Sequence, residues 1–263
     1  MKKKRLLNII GDIDDKYIAE AAPKAPKRFR PAWAKWAAAA ACLCLIAGAA
    51  LLFPLPGRER TVTPTGEVHL SDRSTAKVSY LTGKQLLDEV KKAPSKPDLI
   101  YLTEEEMFSM KDMYIFRGVV SKLTNLLVDF KYDKEACCVA TIDVKKVYRG
   151  DIPEGKPVKV LLPCAVFADG RKTREDTEVI RGIKIGMEGI FMPRIYGEDA
   201  VWEMYGVTLM LSDLAPCGLG DGMRWAFLKT EDDGLVYARH AYPGAGSAQT
   251  LDDIEKYVKK MIR

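Results

Sequence analysis

Four cysteines and two histidines are the residues whose chemistry is easiest to name. Cys137, Cys138, Cys164 and Cys217 fall in the C-terminal part of the chain, and His69 and His240 are its only histidines. No Cys-x-x-Cys pair occurs and the histidines stand far apart, so a zinc site is not expected. The four cysteines can pair as disulfides in three ways, and spacing does not choose among them; they can equally stay reduced. Cys137 and Cys138 are adjacent, so on a strand they face opposite sides, one toward a core and the other toward a partner. Cys42 and Cys44 lie inside an apolar run and read as small apolar residues.

Other constellations are weaker. Gly244-Ala-Gly-Ser247 does not fit the G-x-S-x-G spacing of a nucleophile elbow and reads as a loop. Gly218-Leu-Gly-Asp-Gly222 lacks the following helix that a phosphate loop requires and reads as a turn. His240 reads as a solvated residue after a strand. The acidic groups at Glu231–Asp233 and Asp252–Asp253 suit a turn and a helix start. No catalytic, cofactor or metal set emerges, so a non-enzyme without a cofactor is expected. Trp202, Tyr205, Trp225, Tyr196 and Phe167 could form a recognition surface for an extracytoplasmic ligand, although aromatics at strand positions more often fill a core.

The elements that position these residues begin with an anchor. Trp36–Phe53 carries no charge, and with Pro54 to Gly57 makes 22 uncharged residues. A helix across the hydrocarbon layer needs about 20. Lys27, Arg28, Arg30 and Lys35 precede the run, and Trp33 and Trp36 mark its start. The positive-inside rule then predicts a single-pass protein of the cell membrane, N-terminus in the cytoplasm and residues 58–263 outside. About 35 residues precede the run, long for a cleaved signal peptide. The net charge of +5 is local: residues 1–57 hold ten Lys/Arg against four Asp/Glu, and the remainder 31 against 32. A nucleic-acid-binding domain is therefore not expected.

Before the anchor lies a candidate docking peptide. Asp12 is placed to cap a helix, with Asp15 completing a box-like start. Ile13 and Tyr17 share one face, and Pro23 ends the helix. So short a helix does not persist alone in water, so a cytosolic partner is expected to bury that face.

The division expected is a head and basic tether (1–35), a transmembrane helix (36–56), a stalk (57–80) and an extracytoplasmic domain (81–263). Thr82/Gln85, Thr103/Glu106 and Thr250 predict helices near 84–92, 104–111 and 251–262. Strands are expected at Tyr114–Ser121, Leu126–Tyr132, Cys138–Tyr148, Val158–Leu162, Ile183–Met192, Val201–Leu211, Trp225–Lys229 and Leu235–Tyr237. Many short strands with glycine-rich turns predict a mainly β domain, a small antiparallel barrel with flanking helices and a C-terminal helix.

Two resemblances add to this reading. IFRGVVSKL and VATIDVKKVYRGDIPEGKPVKVLLP, within residues 114–192, resemble the first strands of OB-like netrin and metalloproteinase-inhibitor domains. Tyr148, Arg149 and Gly150 stand where a strand of that family ends. The inhibitors' leading metal-chelating cysteine is absent, so protease inhibition is not implied. IIGDIDDKYIAEA, the basic tether and PAWAKWAAAAACLCLIAG resemble the start of single-pass proteins of Clostridia and related Firmicutes, some of them similar to membrane-bound anti-sigma factors. That resemblance implies a regulatory protein whose head meets a sigma factor and whose outer domain senses. The zinc-binding His and Cys cluster of the best-defined anti-sigma class is missing here.

Overall fold

Alternation of apolar and polar residues from Ile115 onward builds the two longest elements, β2 (Ile115–Asp129) and β3 (Lys134–Arg149). The computed structural model describes residues 66–81, 101–168 and 177–263. The chain divides into two compact units, Met1–Thr61 and Val62–Arg263, and the described residues all belong to the second. The head, the expected span at 36–56 and the expected helix at 84–92 lie outside them. Among the described residues no helix is long and apolar enough to cross a membrane.

The remaining strands are β1 (Lys77–Tyr80), β4 (Pro157–Leu162), β5 (Glu188–Phe191), β6 (Arg194–Ile195), β7 (Val201–Met204), β8 (Val207–Met210), β9 (Cys217–Gly218), β10 (Ala226–Lys229) and β11 (Leu235–Val236). The main sheet runs β11-β10-β5-β2-β3-β4-β9-β6 and curls into a half-barrel. Its pairings are antiparallel except β4 with β9. β2 changes neighbour along its length: Phe116–Val119 pair with β5, and Leu126–Asp129 pair with β1. Three register shifts against β3 in the first half of β2 bend it between these partners. Gly118 lets the bend close, because a Cβ there would meet the Asp143 carbonyl oxygen at 2.7 Å. At the far end of the sheet a bridge joins Arg194 of β6 back to Met113, just before β2.

Two helices flank the sheet. α1 (Glu104–Ser109) starts at a capping box of Thr103 and Glu106, and α2 (Leu251–Met261) at one of Thr250 and Asp253. Leu251, Ile254 and Val258 are buried in the main core with Phe116, Phe191 and Phe227. A second core lies on the other face of β3, where Cys137 and Val139 meet Val78, Val128, Phe130, Leu161 and Leu209. The first half of β3 is thus buried on both faces.

Four expectations are corrected. The strands expected at Tyr114–Ser121 and Leu126–Tyr132 are one bulged strand, and Tyr132 falls in the turn after it. The strand expected at Ile183–Met192 begins only at Glu188, because Gly186 at φ +88° turns the chain just before it. Val201–Leu211 is a hairpin, turned at Tyr205 (φ 54°) and Gly206 (φ 72°). The last part of the expected stalk belongs to the domain. Lys77–Tyr80 is paired, Glu67 bridges Ser79, and Asp213 Oδ2 accepts from the hydroxyls of Ser71 (2.9 Å) and Ser74 (2.6 Å). Pairing with β2 and burial of Val78 outweigh the loop-like composition that suggested a stalk.

Candidate ligand-binding site

The site is built on two hairpin ends. β2 and β3 are joined by a short turn in which Asp129 Oδ1 accepts from the Lys131 amide at 2.8 Å and Asp133 Oδ1 from the Lys134 amide at 2.8 Å. Lys131 is held there at φ 75°, and Tyr132 projects with 72% of its surface exposed. The β7–β8 turn projects Tyr205, 60% exposed. The two rings meet edge to face, centroids 5.7 Å apart and planes at 89°. Lys131 Nζ lies 4.9 Å from the Tyr132 centroid, a cation–π contact on that ring. Behind this pair, Trp202 packs on the buried Phe130, centroids 5.0 Å apart.

Trp202 also walls a cavity of about 360 Å³ that it shares with Tyr196, Arg194, Leu161, Pro163 and Gly218. Gly218 is required by close approach: a Cβ would collide with the Tyr196 hydroxyl and meet the Leu161 carbonyl oxygen at 2.9 Å. Burial pushes the Tyr196 phenol well above its ordinary pKa, so it remains a hydrogen-bond donor. Arg194 is fixed by Asp112, Nε to Oδ2 2.5 Å. The cavity therefore offers two aromatic walls, one phenol donor and one guanidinium at the end of the half-barrel.

The five aromatics singled out from the sequence separate into two groups. Tyr196, Trp202 and Tyr205 gather at this end of the sheet. Trp225 is 7% exposed and donates from Nε1 to Asp221 Oδ2 at 2.7 Å, and Phe167 is 9% exposed in a minor core. Tyr132 escaped the sequence reading because the alternating run was carried through it. The signal was the flanking Asp129 and Asp133, whose side chains cap amides of the turn.

Cys137, Cys138, Cys164 and Cys217 are all buried, and among the described residues none forms a disulfide. Cys138 lies in the main core and Cys137 in the second, on opposite faces as their adjacency requires. Burial first, then the neighbouring Cys164 and Glu135, push the Cys137 thiol up to about 12. Burial raises Cys217 to about 12 as well, and its Sγ contacts the Lys159 carbonyl oxygen. Among the described residues no group of three His, Cys, Asp or Glu could hold a metal ion. Asp12, Ile13, Asp15 and Tyr17 lie outside the described residues.

Other polar clusters serve the fold. Asp221, 5% exposed, accepts from the amides of Met223 and Arg224 and from Arg224 Nε, which sets the loop before β10. Glu104 accepts from Tyr257 Oη at 2.6 Å and from the Gly244 amide at 3.1 Å, tying α1 to α2. His240 lies beside this pair in a cavity of about 350 Å³ with Arg224 and Glu105. Ser247 follows a short 3-10 turn, Pro243–Ala245, in the loop before α2. Comparison with protein-family models, with curated proteins and with solved structures gave no match to this chain.

Proposed function

We propose that this chain is a membrane-anchored regulatory or sensing protein, with an extracytoplasmic binding domain and a short cytosolic head that docks a regulatory partner such as a sigma factor. The observation that carries the binding half is the exposed Tyr132–Tyr205 pair beside the Trp202 cavity. The two rings stay largely exposed at their hairpin tips although they pack on each other, and exposed aromatic surface beside a cavity is where recognition sites form. The anchoring half rests on the uncharged run at 36–57 and the basic residues before it.

The domain is read as OB-like. β2, β3 and β4 form a meander, β9 lies parallel to β4, and β6 lies antiparallel to β9 and bridges back to the start of β2. That order supports a five-stranded, partly open barrel. In such barrels the loop between the first two strands and the loop between the last two flank the binding face. Here those are the turn carrying Tyr132 and the β7–β8 hairpin carrying Tyr205.

Reporter fusions test the anchoring. A reporter active only outside the membrane, joined after Arg263, is expected to be active, and one active only in the cytoplasm to be silent. The reverse pattern overturns the reading. If the outer face binds and the head proves dispensable, the protein is a cell-surface binding module without a signalling role.

A further inference from the structure

We propose that β7 takes an extended peptide as an added antiparallel strand, with one large apolar side chain in the Trp202 cavity and a basic residue next to it; this rests on the reading of that face as a binding site and names its ligand class. β7 pairs only with β8, in a two-stranded sheet. Along such a pair, backbone groups point alternately at the partner strand and away from it. The register fixes which ones point away. Met204 and Val207 flank the two-residue turn and face each other, so the groups of the Glu203–Thr208 and Val201–Met210 pairs turn outward. On the β8 side these outward groups are used. The Thr208 carbonyl accepts from the Thr75 amide at 2.8 Å and the Ala76 amide at 3.0 Å, and the Met210 amide donates to Ser74 Oγ at 2.9 Å. On the β7 side, the outward amides and carbonyls of Val201 and Glu203 meet no partner among the described residues. They form a strand edge on which another strand can pair.

The cavity lies where such a strand would face inward. Trp202 and Met204 pack on the second core while Val201 and Glu203 are exposed, and a strand laid beside β7 alternates in the same way. Its residue opposite Trp202 points inward, where Trp202 and Val201 wall the cavity of about 360 Å³ with Leu161, Pro163, Leu211 and Leu219. That mostly apolar lining suits a large aliphatic or aromatic side chain. The residues on either side of this anchor point outward, one of them directly across from Glu203. Charge selects a basic residue there. Glu198, Asp199 and Glu203 have no ion-pair partner among the described residues. Arg194 is held by Asp112, and Arg73 is the nearby cation, donating to the Glu198 carbonyl oxygen at 2.7 Å. The same acidic edge disfavours a second copy of the chain, whose own β7 would bring three more carboxylates against it.

The test uses the full chain in nanodiscs of zwitterionic lipid, with empty nanodiscs as the blank. The probes are fluorescent, end-blocked heptapeptides Ser-Thr-B-X-B-Thr-Ser, with X as Leu, Phe, Trp or Ala and B as Lys, Thr or Glu. Expected is binding of the Lys peptides with a large apolar X, weakened about tenfold or more by Ala at X or Glu at B. In Glu203→Lys, a change at an exposed position, the preference at B is expected to pass from Lys to Glu. N-methylation separates main-chain pairing from side-chain contact. On the added strand the two B amides face β7, and the amides of X and the second Thr face solvent. Methyl groups on the B amides are expected to weaken binding about tenfold or more beyond methyl groups on the other two, the size of two lost hydrogen bonds. In parallel, a neutral naphthalene fluorophore is applied to wild type and to Leu211→Trp, which narrows the cavity; melting curves confirm that both variants fold. Peptides bound alike whichever amides are methylated, or with a B preference that Glu203→Lys leaves unchanged, overturn the added strand and leave the cavity as a side-chain site. If no peptide is bound, the proposal also falls. Fluorophore bound by wild type and lost from Leu211→Trp then keeps the cavity as a site for another ligand class, and fluorophore bound by neither, or equally by both, removes this face as a site altogether.

Discussion

Cys137 and Cys138 show how one step along a strand separates two environments. Cys138 shares its face with Ala140, Ile142 and Val144 in the main core, and Cys137 shares its own with Val139 under β1 and the β7–β8 hairpin. The opposite facing was legible from adjacency alone. That both sides are buried was not, because the layer covering Cys137 comes from residues 66–81 and 201–215, distant in sequence. The thiolate is the reactive species. A thiol moved from 9.0 to about 12, as at Cys137, presents about a thousandfold less of it at neutral pH. In native protein, Cys137, Cys138, Cys164 and Cys217 are therefore expected to resist a thiol-reactive chromophore, and all four to react once the domain is unfolded in guanidinium. Rapid labelling of any of them in the native state, read by mass spectrometry, would contradict the burial described here. The aromatic residues were half legible by the same logic. Trp225 and Trp202 sit in similar strand contexts, and only the tertiary partner, Asp221 for one and an open cavity for the other, decides which is core.

At the scale of elements, the most legible feature was α2. Thr250 and Asp253 close its first turn, and Leu251, Ile254 and Val258 fall on one face because the helical repeat returns there every three to four residues. Missed entirely was the ionic network that seats the helix. Glu255 accepts from Lys146 at 2.5 Å, Tyr148 at 2.8 Å and Lys259 at 2.6 Å, while Arg117 spans Glu188 (2.9 Å) and Asp252 (2.6 Å). Such partners come from β2, β3 and β5 and carry no local pattern. Apolar burial supplies most of the attachment: Ile254→Ala is expected to cost about 2–5 kcal/mol by denaturant titration, since its side chain is fully buried. The network instead sets the acid response. Burial opposes the charge on Glu255, yet hydrogen bonds from Lys146, Lys259 and Tyr148 outweigh it and hold the pKa at about 2, against 4.5 when unfolded. A depressed carboxylate stabilises fully above its unfolded value and loses that contribution as pH falls toward its folded one. Melting temperature is thus expected to fall between pH 4.5 and 2, and Glu255→Gln to lose the part of that slope which Glu255 supplies. A slope identical in wild type and variant would remove Glu255 from the acid response. Strand ends were the least legible elements. Tyr205 and Lys131 take left-handed backbone without being glycine, so the turns they occupy carried no glycine or asparagine signal at those positions.

For the whole molecule, sequence and structure speak about different halves. The mainly β character of Val62–Arg263 and its half-barrel follow from the alternating strands and turn residues. The closing bridge from β6 to Met113 could not be foreseen, because it joins residues 81 positions apart across a chain reversal. For the head, charge and apolar pattern are the whole basis. Under the proposed docking reading, Asp12 and Asp15 mark a helix start and Ile13 and Tyr17 an apolar stripe. Burying those two side chains is worth roughly 3–6 kcal/mol before ordering costs, which corresponds to a micromolar contact or weaker. The basic tether at 23–32 is expected to gain about 1 kcal/mol per cation near anionic lipid. Asp12, Asp14 and Asp15 carry the charge that the same surface repels, which argues mildly against lipid burying the stripe. A partner held near the inner surface at high local concentration needs no tighter contact than this. Pull-down from cytosol with a wild-type head and with the Ile13→Asp/Tyr17→Asp double variant separates the two attachments, since the variant keeps every basic residue. A cytosolic protein recovered by the wild type and lost from the variant, and then shown to bind with a purified-component Kd near the micromolar range, is the expected result. Equal recoveries from both baits would assign the head to the basic tether alone.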